Sequence, residues 1–358
     1  MTRRILKRDD GRAAIYGGCI LGGGGGGLIG DGESKVEELF ERFDGPTLVS
    51  LDELDADQTV ACVAVVGAPS AKDASLSGAQ MIESVELVQQ QGDAQLAALM
   101  TNENGAGTTI NGWLQASALG LPVVDSPANG RAHPTGSMGA LSLHRRDGYR
   151  SLQGFSGGAG TRRFSGTVTG ALGGAADVVR QVSIQAGGLV SVCRNPVEAG
   201  YVREHAALGG ITQAIELGGV YLAAPAGRER INAVVGHLGA EVLTEGAVTE
   251  VQIVQRGGFD VGLVHIDEFE LTFWNEYMTA ERGEQRLGTF PELLMTLDAQ
   301  TGAPVVTADI REGQDVVVIK VGVDRLLLGS PMRDATLLSG IETIVNKKIV
   351  GHQEELWR

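Results

Sequence analysis

Asp125, Asn129, Arg131 and His133 fall within nine residues of one another in DSPANGRAHP, and Glu103 and Asn104 share the polar loop TNENGAG. A carboxylate, an imidazole and a guanidinium close together can activate water, hold a metal ion, or grip a carbonyl or carboxylate oxygen. At a strand end, DSPANGRAHP has the composition of a functional site, with a turn of solvated charges as the alternative reading. Glu103, just ahead of a helical pattern, is a general base, a metal ligand, or a first-turn charge favoured by the helix dipole.

Six consecutive glycines occupy residues 22–27. After a strand and before a helix, such a run lets backbone approach a phosphate. It lacks the Lys-Ser/Thr of a P-loop, and the adjacent Asp31 and Glu33 disfavour an anion. A close backbone crossing against another loop, or substrate contact through N–H groups of Gly24 and Gly25, are the other readings. The histidines, His133, His144, His205, His237, His265 and His352, show neither HxH nor HExxH spacing, so any metal site must be assembled across loops. No GxSxG elbow occurs. Cys193, followed by Arg194, is a nucleophile if that cation lowers its pKa, or else a buried thiol.

The elements that must position these residues alternate through the first 125 positions. Strand-like runs are expected at 13–21, 47–51, 59–66, 97–100 and 121–124, and helices at 34–43, 76–91 and 108–119. This is the pattern of an α/β unit with a largely parallel sheet. The loops at 67–73, 101–107 and 125–138 each follow a strand, so they share the carboxyl edge of the sheet, where ligands of open α/β folds bind. The glycine run is expected to join them. Residues 175–189 and 196–217 read as helical. From Val242 the chain turns β-rich, with VTEVQIVQR, FDVGLVHID, ELTFWNEYM and DVVVIKVGV separated by turn residues. The expected architecture is an N-terminal parallel-sheet α/β domain, residues 1–165, and a C-terminal β-rich domain preceded by helices, residues 166–358.

Composition narrows the function. The 358 residues carry a net charge of −15 and no long basic cluster, which argues against nucleic acid as a partner. No apolar window is long enough for a membrane span. Asp9, Asp10 and the glycines interrupt anything resembling a secretory leader. Three sparse cysteines without CxxC spacing suggest reduced thiols and a cytoplasmic protein. Glycine supplies 53 residues, about twice the usual share, and the core must be built from Ala, Val, Leu and Ile.

Several segments in order carry a resemblance: ILGGGGGG, VVGAPSAKD, ENGAG before a helix, LGLPVVDSPANGRAHP, RGGFDVG, FWNE, and FPELLMTLDAQTGAPVVTADIREGQDVVVI. Together they resemble the bacterial DUF917 proteins, named after S-methyl thiohydantoin desulfurase and often encoded beside hydantoinases and oxoprolinases. The resemblance implies an N-terminal α/β domain and a mainly β C-terminal domain. It also implies hydrolysis of an S-methyl thiohydantoin to a hydantoin with loss of methanethiol. Glu103, Gly105, Asp125, Gly130, Arg131 and Pro134 match the family pattern. Pro127 and Thr135 stand where its loop, DADGMGRAFPE, carries acids; His133 replaces the Phe, and Thr108 an Asn.

The resulting expectation is a hydrolase of a five-membered cyclic ureide or thioureide. Asp125 and His133 are expected as base or metal ligands, Glu103 as a second catalytic carboxylate, and Arg131, Asn104, Asn129, Gly24 and Gly25 as substrate contacts. A divalent metal such as zinc is the expected cofactor, and a homo-oligomer the expected assembly. The rival expectation is a non-catalytic small-molecule-binding or accessory partner of a hydantoinase- or oxoprolinase-type enzyme. A nucleotide-binding regulator using the glycine run is a weaker third.

Overall fold

A computed structural model describes residues 3–67, 73–91, 95–257 and 259–352. An eight-stranded sheet is formed by β1 (Arg4–Ile5), β2 (Thr47–Val49), β3 (Thr59–Gly67), β4 (Leu96–Thr101), β5 (Val123–Val124), β6 (Ser151–Gly157), β7 (Phe164–Gly170) and β8 (Leu189–Glu198). Their spatial order is β1-β2-β5-β4-β3-β8-β6-β7. The segment β2-β5-β4-β3 is parallel, and the flanking strands run antiparallel. β3, TVACVAVVG, is buried on both faces over most of its length, which is why it reads as a continuous apolar run rather than an alternation. Residue 165 falls inside β7, and β8, from beyond it, pairs with β3, so the large sheet draws strands from both sides of that position.

The nine helices found among the described residues are α1 (Arg8–Gly22), α2 (Ile29–Arg42), α3 (Gly78–Gln91), α4 (Trp113–Leu119), α5 (Leu172–Gln185), α6 (Ala199–His205), α7 (Gly210–Ala223), α8 (Arg228–Leu238) and α9 (Ala335–Val345). Two antiparallel sheets complete the C-terminal part. One has the order β10-β11-β12-β13-β14 and the other β16-β15-β17-β9. These strands are β9 (Glu241–Ala247), β10 (Glu250–Arg256), β11 (Phe259–Ile266), β12 (Phe269–Trp274), β13 (Glu276–Arg282), β14 (Gln285–Thr289), β15 (Leu293–Asp298), β16 (Pro304–Val305) and β17 (Asp315–Val321). The α/β part and the β-rich part share one apolar core, in which Ile15, Ile20 and Leu21 of α1 pack with Leu99, Trp113, Ile211, Met295 and Ile319.

The central difference from the sequence reading is at residues 13–21, which form the helix α1 and not a strand. From Ala13 to Gly22 every residue but Tyr16 is buried, so that stretch shows no polar face, and periodicity cannot separate it from a buried strand. The glycine run therefore caps a helix. Gly23 is left-handed at φ 62°, and its N–H donates to the Ile20 carbonyl, the usual αL termination. Three further expectations change. The helix expected from 108 begins at Trp113, after Gly112 at φ 90°. Residues 189–198 form β8, taking the ends of two expected helices. ELTFWNEYM is two strands that reverse at Asn275, φ 55°. Residues 68–72 of the expected loop at 67–73 lie outside the described residues.

Candidate active site

A cavity of about 430 Å³ opens where the loops after β4 and β5 meet the glycine run and the β12–β13 reversal. Its polar wall includes Lys35, Asn102, Glu103, His133, Arg194 and Glu276.

Short backbone bonds lock the two loops together. Ala128 N–H donates to Thr101 O (3.0 Å) and Asn129 N–H to Asn102 O (3.1 Å), continuing the β4–β5 ladder to a bridge between Glu103 and Asn129. Four residues later the chain returns to Glu103. His133 N–H donates to Glu103 Oε2 (3.3 Å), and the same oxygen lies 3.1 Å from His133 Nε2. Both side chains are almost fully buried. Burial pushes the Glu103 carboxyl up to about 8, against the pull of the His133 N–H and the Arg194 guanidinium. Burial, reinforced by Arg194, lowers the His133 imidazole to about 3. The pair is thus held in its uncharged form, a carboxylic acid facing a neutral imidazole.

Glu276 is the third member. It follows the Asn275 reversal, and its carboxyl is raised well above the ordinary range by burial and by Glu103, with Arg131 opposing. Its Oε2 has no partner among the described residues. A Cβ added at Gly25 would lie 2.1 Å from Glu276 Oε1, so the glycine is what lets this acid sit there. Lys35, on α2, donates to Gly107 O at 2.9 Å, and burial lowers it to about 8, offset by Asp31.

Of the residues expected to form the site, the structure brings Glu103 and His133 together at the cavity and not the others. Asp125 caps α7: Oδ1 accepts from Ile211 N (2.9 Å) and Thr212 N (3.0 Å), and Oδ2 accepts from Thr212 Oγ1. It does not line the cavity. Asn104 is saturated by Gly130 O, Gly210 O and Thr109 Oγ1, and Asn129 donates to Met138 O. Arg131 is wholly buried behind the wall, over the Phe290 ring, donating to the Pro291 and Glu292 carbonyls. Gly24 accepts from Thr307 through its carbonyl. The run is the close crossing anticipated among its readings: Gly107 N–H donates to Gly26 O (2.9 Å), and a Cβ on Gly26 would lie 2.5 Å from Gly105 Cα. Gly26 and Gly27 do reach the cavity.

Cys193 does not pair with Arg194. Neighbours on a strand point to opposite faces: Cys193 joins the main apolar core while Arg194 reaches the cavity. Burial pushes the thiol upward, away from nucleophilic use. As for the expected metal, Asp125 and His133 do not converge, and among the described residues no group of three or more His, Cys, Asp or Glu side chains could hold an ion. That donor set does not fit a zinc shell.

Sequence reasoning missed Glu276, Lys35 and the cavity role of Arg194. Two had a signal: Glu276 is an acid among buried strand residues, and Arg194 is the one charge inside LVSVCRNPV. Lys35 sits in a charged helix and carries none.

The family model of the S-Me-THD-like N-terminal domain matches residues 10–152, and that of the S-Me-THD-like C-terminal domain matches residues 174–332. The chain belongs to the S-Me-THD-like family. The resemblance drawn from ENGAG, DSPANGRAHP and FWNE is therefore borne out, as is the α/β plus β-rich architecture. A crystal structure of a protein from Chromobacterium violaceum shares the S-Me-THD-like chain's fold, with a TM-score of 0.75 at 18% identity over 96% of both chains. No curated protein matches. No helix among the described residues is long and apolar enough to cross a membrane.

Proposed function

We propose that the cavity binds a five-membered cyclic thioureide of the S-methyl thiohydantoin class and hydrolyses it to a hydantoin and methanethiol. The family supports a hydantoin-related role. The observation that carries the finer reading is the Glu103–His133 pair, 3.1 Å apart and buried on the wall of a cavity of small-molecule size.

The chemistry divides between the two side chains. The ring carbon bearing the S-methyl group is electrophilic through its C=N bond. As water adds there, neutral His133 takes one of its protons and protonated Glu103 gives its own to the ring nitrogen. The tetrahedral adduct then collapses: Glu103 takes the hydroxyl proton as the carbonyl forms, and His133 delivers its proton to the departing sulfur. Both residues return to their starting forms. Positioned proton transfer of this kind contributes roughly 10²–10⁴-fold. A neutral pair avoids placing a buried charge beside a neutral ring. Lys35 supplies a cation to the exocyclic oxygen.

A second reading, a non-catalytic binding partner of a hydantoin-processing enzyme, is favoured by Thr135, which lines the cavity where the family loop carries an acid. The experiment is methanethiol release from a panel of S-methyl thiohydantoins, alongside thermal shift with each compound. Release that scales with protein supports hydrolysis. Thermal stabilisation without release supports the second reading, and neither effect overturns both.

A further inference from the structure

Sheet edges invite other strands, because their outer N–H and C=O groups lack a neighbour. Most edges of this molecule are blunted. Among the described residues, β1 and β16 are two residues long, β9 and β14 meet their neighbours through register shifts, and β7 carries Gly166 and Gly170. β10 is the exception. Its seven residues, EVQIVQR, pair with β11 without a break and include no Gly, Pro or Lys. Val254 is 63% exposed and Ile253 41%.

The free edge has a definite polarity. Val251 N–H turns away from β11 and donates to Glu312 Oε1 at 3.3 Å. Backbone direction alternates along a strand, so Ile253 also presents its N–H and C=O outward. An antiparallel copy of β10, placed across a two-fold axis at Ile253, meets those groups with its own. The same register sets Gln252 against the partner's Val254 and Glu250 against the partner's Arg256, twice over. These are non-hydrogen-bonded pairs, in which side chains lie closest. Moving the axis to Gln252 sets Glu250 against Val254, and moving it to Val254 sets Arg256 against Gln252. The axis at Ile253 is the one that joins opposite charges. Both charges are available: Glu250 accepts from the neutral Gln252 side chain at 2.7 Å with His265 4.0 Å away, and exposed Arg256 has no ion pair among the described residues.

We propose that this edge is the interface between two copies of the chain, which join β10 to β10 and merge two five-stranded sheets into one. A self-complementary charge pattern favours a second copy, because an isologous contact repeats each pair about the axis and an unrelated strand has no reason to match it. The interface adjoins the candidate site, since Phe259, opposite Arg256, lines the cavity.

The test is the mass of the full chain by sedimentation velocity over a concentration series, and a dimer is expected. Glu250→Arg and Arg256→Glu should each raise its dissociation constant at least about tenfold, by setting like charges opposite one another at two positions. The double variant Glu250→Arg/Arg256→Glu should recover the association of the native chain. Ile253→Pro removes an N–H that β11 does not use, and should give a monomer with the far-UV spectrum of the fold intact. If Ile253→Pro unfolds, charge reversal and its rescue still decide, because both residues are exposed. A native chain that stays monomeric throughout the series overturns the proposal. A dimer that survives both single charge reversals unweakened overturns it by placing the interface elsewhere. A double variant no better than the singles overturns it by excluding this register.

Discussion

Asp125 and His133 lie eight positions apart in one loop, both buried, yet they belong to different kinds of environment. Both carboxylate oxygens of Asp125 are engaged, by two backbone N–H groups and a hydroxyl at the start of α7. Neither ring nitrogen of His133 has a well-aligned hydrogen bond among the described residues, although Glu103 Oε2 lies 3.1 Å from Nε2. Buried polar groups are normally satisfied. A saturated one is explained by the scaffold, whereas an unsatisfied one beside a cavity is held for something the fold does not supply. Residue type alone could not separate the two, and hydrogen-bond saturation does.

The largest effect that would sharpen this contrast is on turnover. Glu103→Gln keeps the shape but removes the exchangeable acid, and methanethiol release should fall roughly 10²–10⁴-fold with the melting temperature held or raised. His133→Ala should fall comparably. Activity near wild type in either variant breaks the assignment.

Asp125→Ala should do the reverse. It leaves the buried N-terminus of α7 without its acceptor, a loss of about 2 kcal/mol or more in unfolding free energy by denaturant titration. The folded fraction should keep its specific activity. Lost activity at unchanged stability would return Asp125 to the site.

The pH dependence follows from the raised Glu103 carboxyl. The folded state keeps the proton up to about pH 8 while the unfolded chain gives it up near 4.5. Stability attributable to this group therefore declines as pH rises through that window, and Glu103→Gln should flatten the decline in a melting series. His133 acts oppositely: its folded value of about 3 against 6.5 unfolded removes stability as pH falls between those values. Turnover needs protonated Glu103, so its alkaline limb should fall near pH 8. A limb that persists unchanged in the residual activity of Glu103→Gln, or that disappears in Lys35→Met, would place the acid elsewhere.

The smallest effect is at Cys193. Cys193→Ala should cost about 1 kcal/mol of stability for the buried sulfur removed and leave turnover unchanged, and the thiol should resist alkylation in the folded protein.

The elements most legible in the sequence were those with a marked period or boundary. The α3 and α2 helices, the β3 run and the β-rich texture beyond Val242 all lie close to where they were expected. α1 was not legible beyond its first turn, because from Ala13 onward it is buried save for Tyr16 and loses the polar face that reveals its period. β8 was hidden because a ten-residue strand between two helices contains Cys193, Arg194 and Asn195 in place of a clean alternation. At the site, TNENGAG and DSPANGRAHP pointed to Glu103 and His133 because polar residues after parallel strands meet at one sheet edge. Arg131 was misplaced for the opposite reason: its chemistry is apt for substrate, but the chain turns it inward to hold the carbonyls of Pro291 and Glu292.

What the amino-acid order determined by itself was the family, the α/β and β-rich texture, and two loops rich in acid and base, since these rest on local pattern. What only the tertiary structure decided was partnership. Glu276 stands 173 positions after Glu103 and His133 precedes Arg194 by 61, and no local rule specifies which of these meet. The meeting is set by where β8 enters the large sheet and where the Asn275 reversal touches Gly25. The same burial that brings them together removes their water, and that desolvation, absent from any linear reading, makes an ordinary glutamate hold its proton at neutral pH.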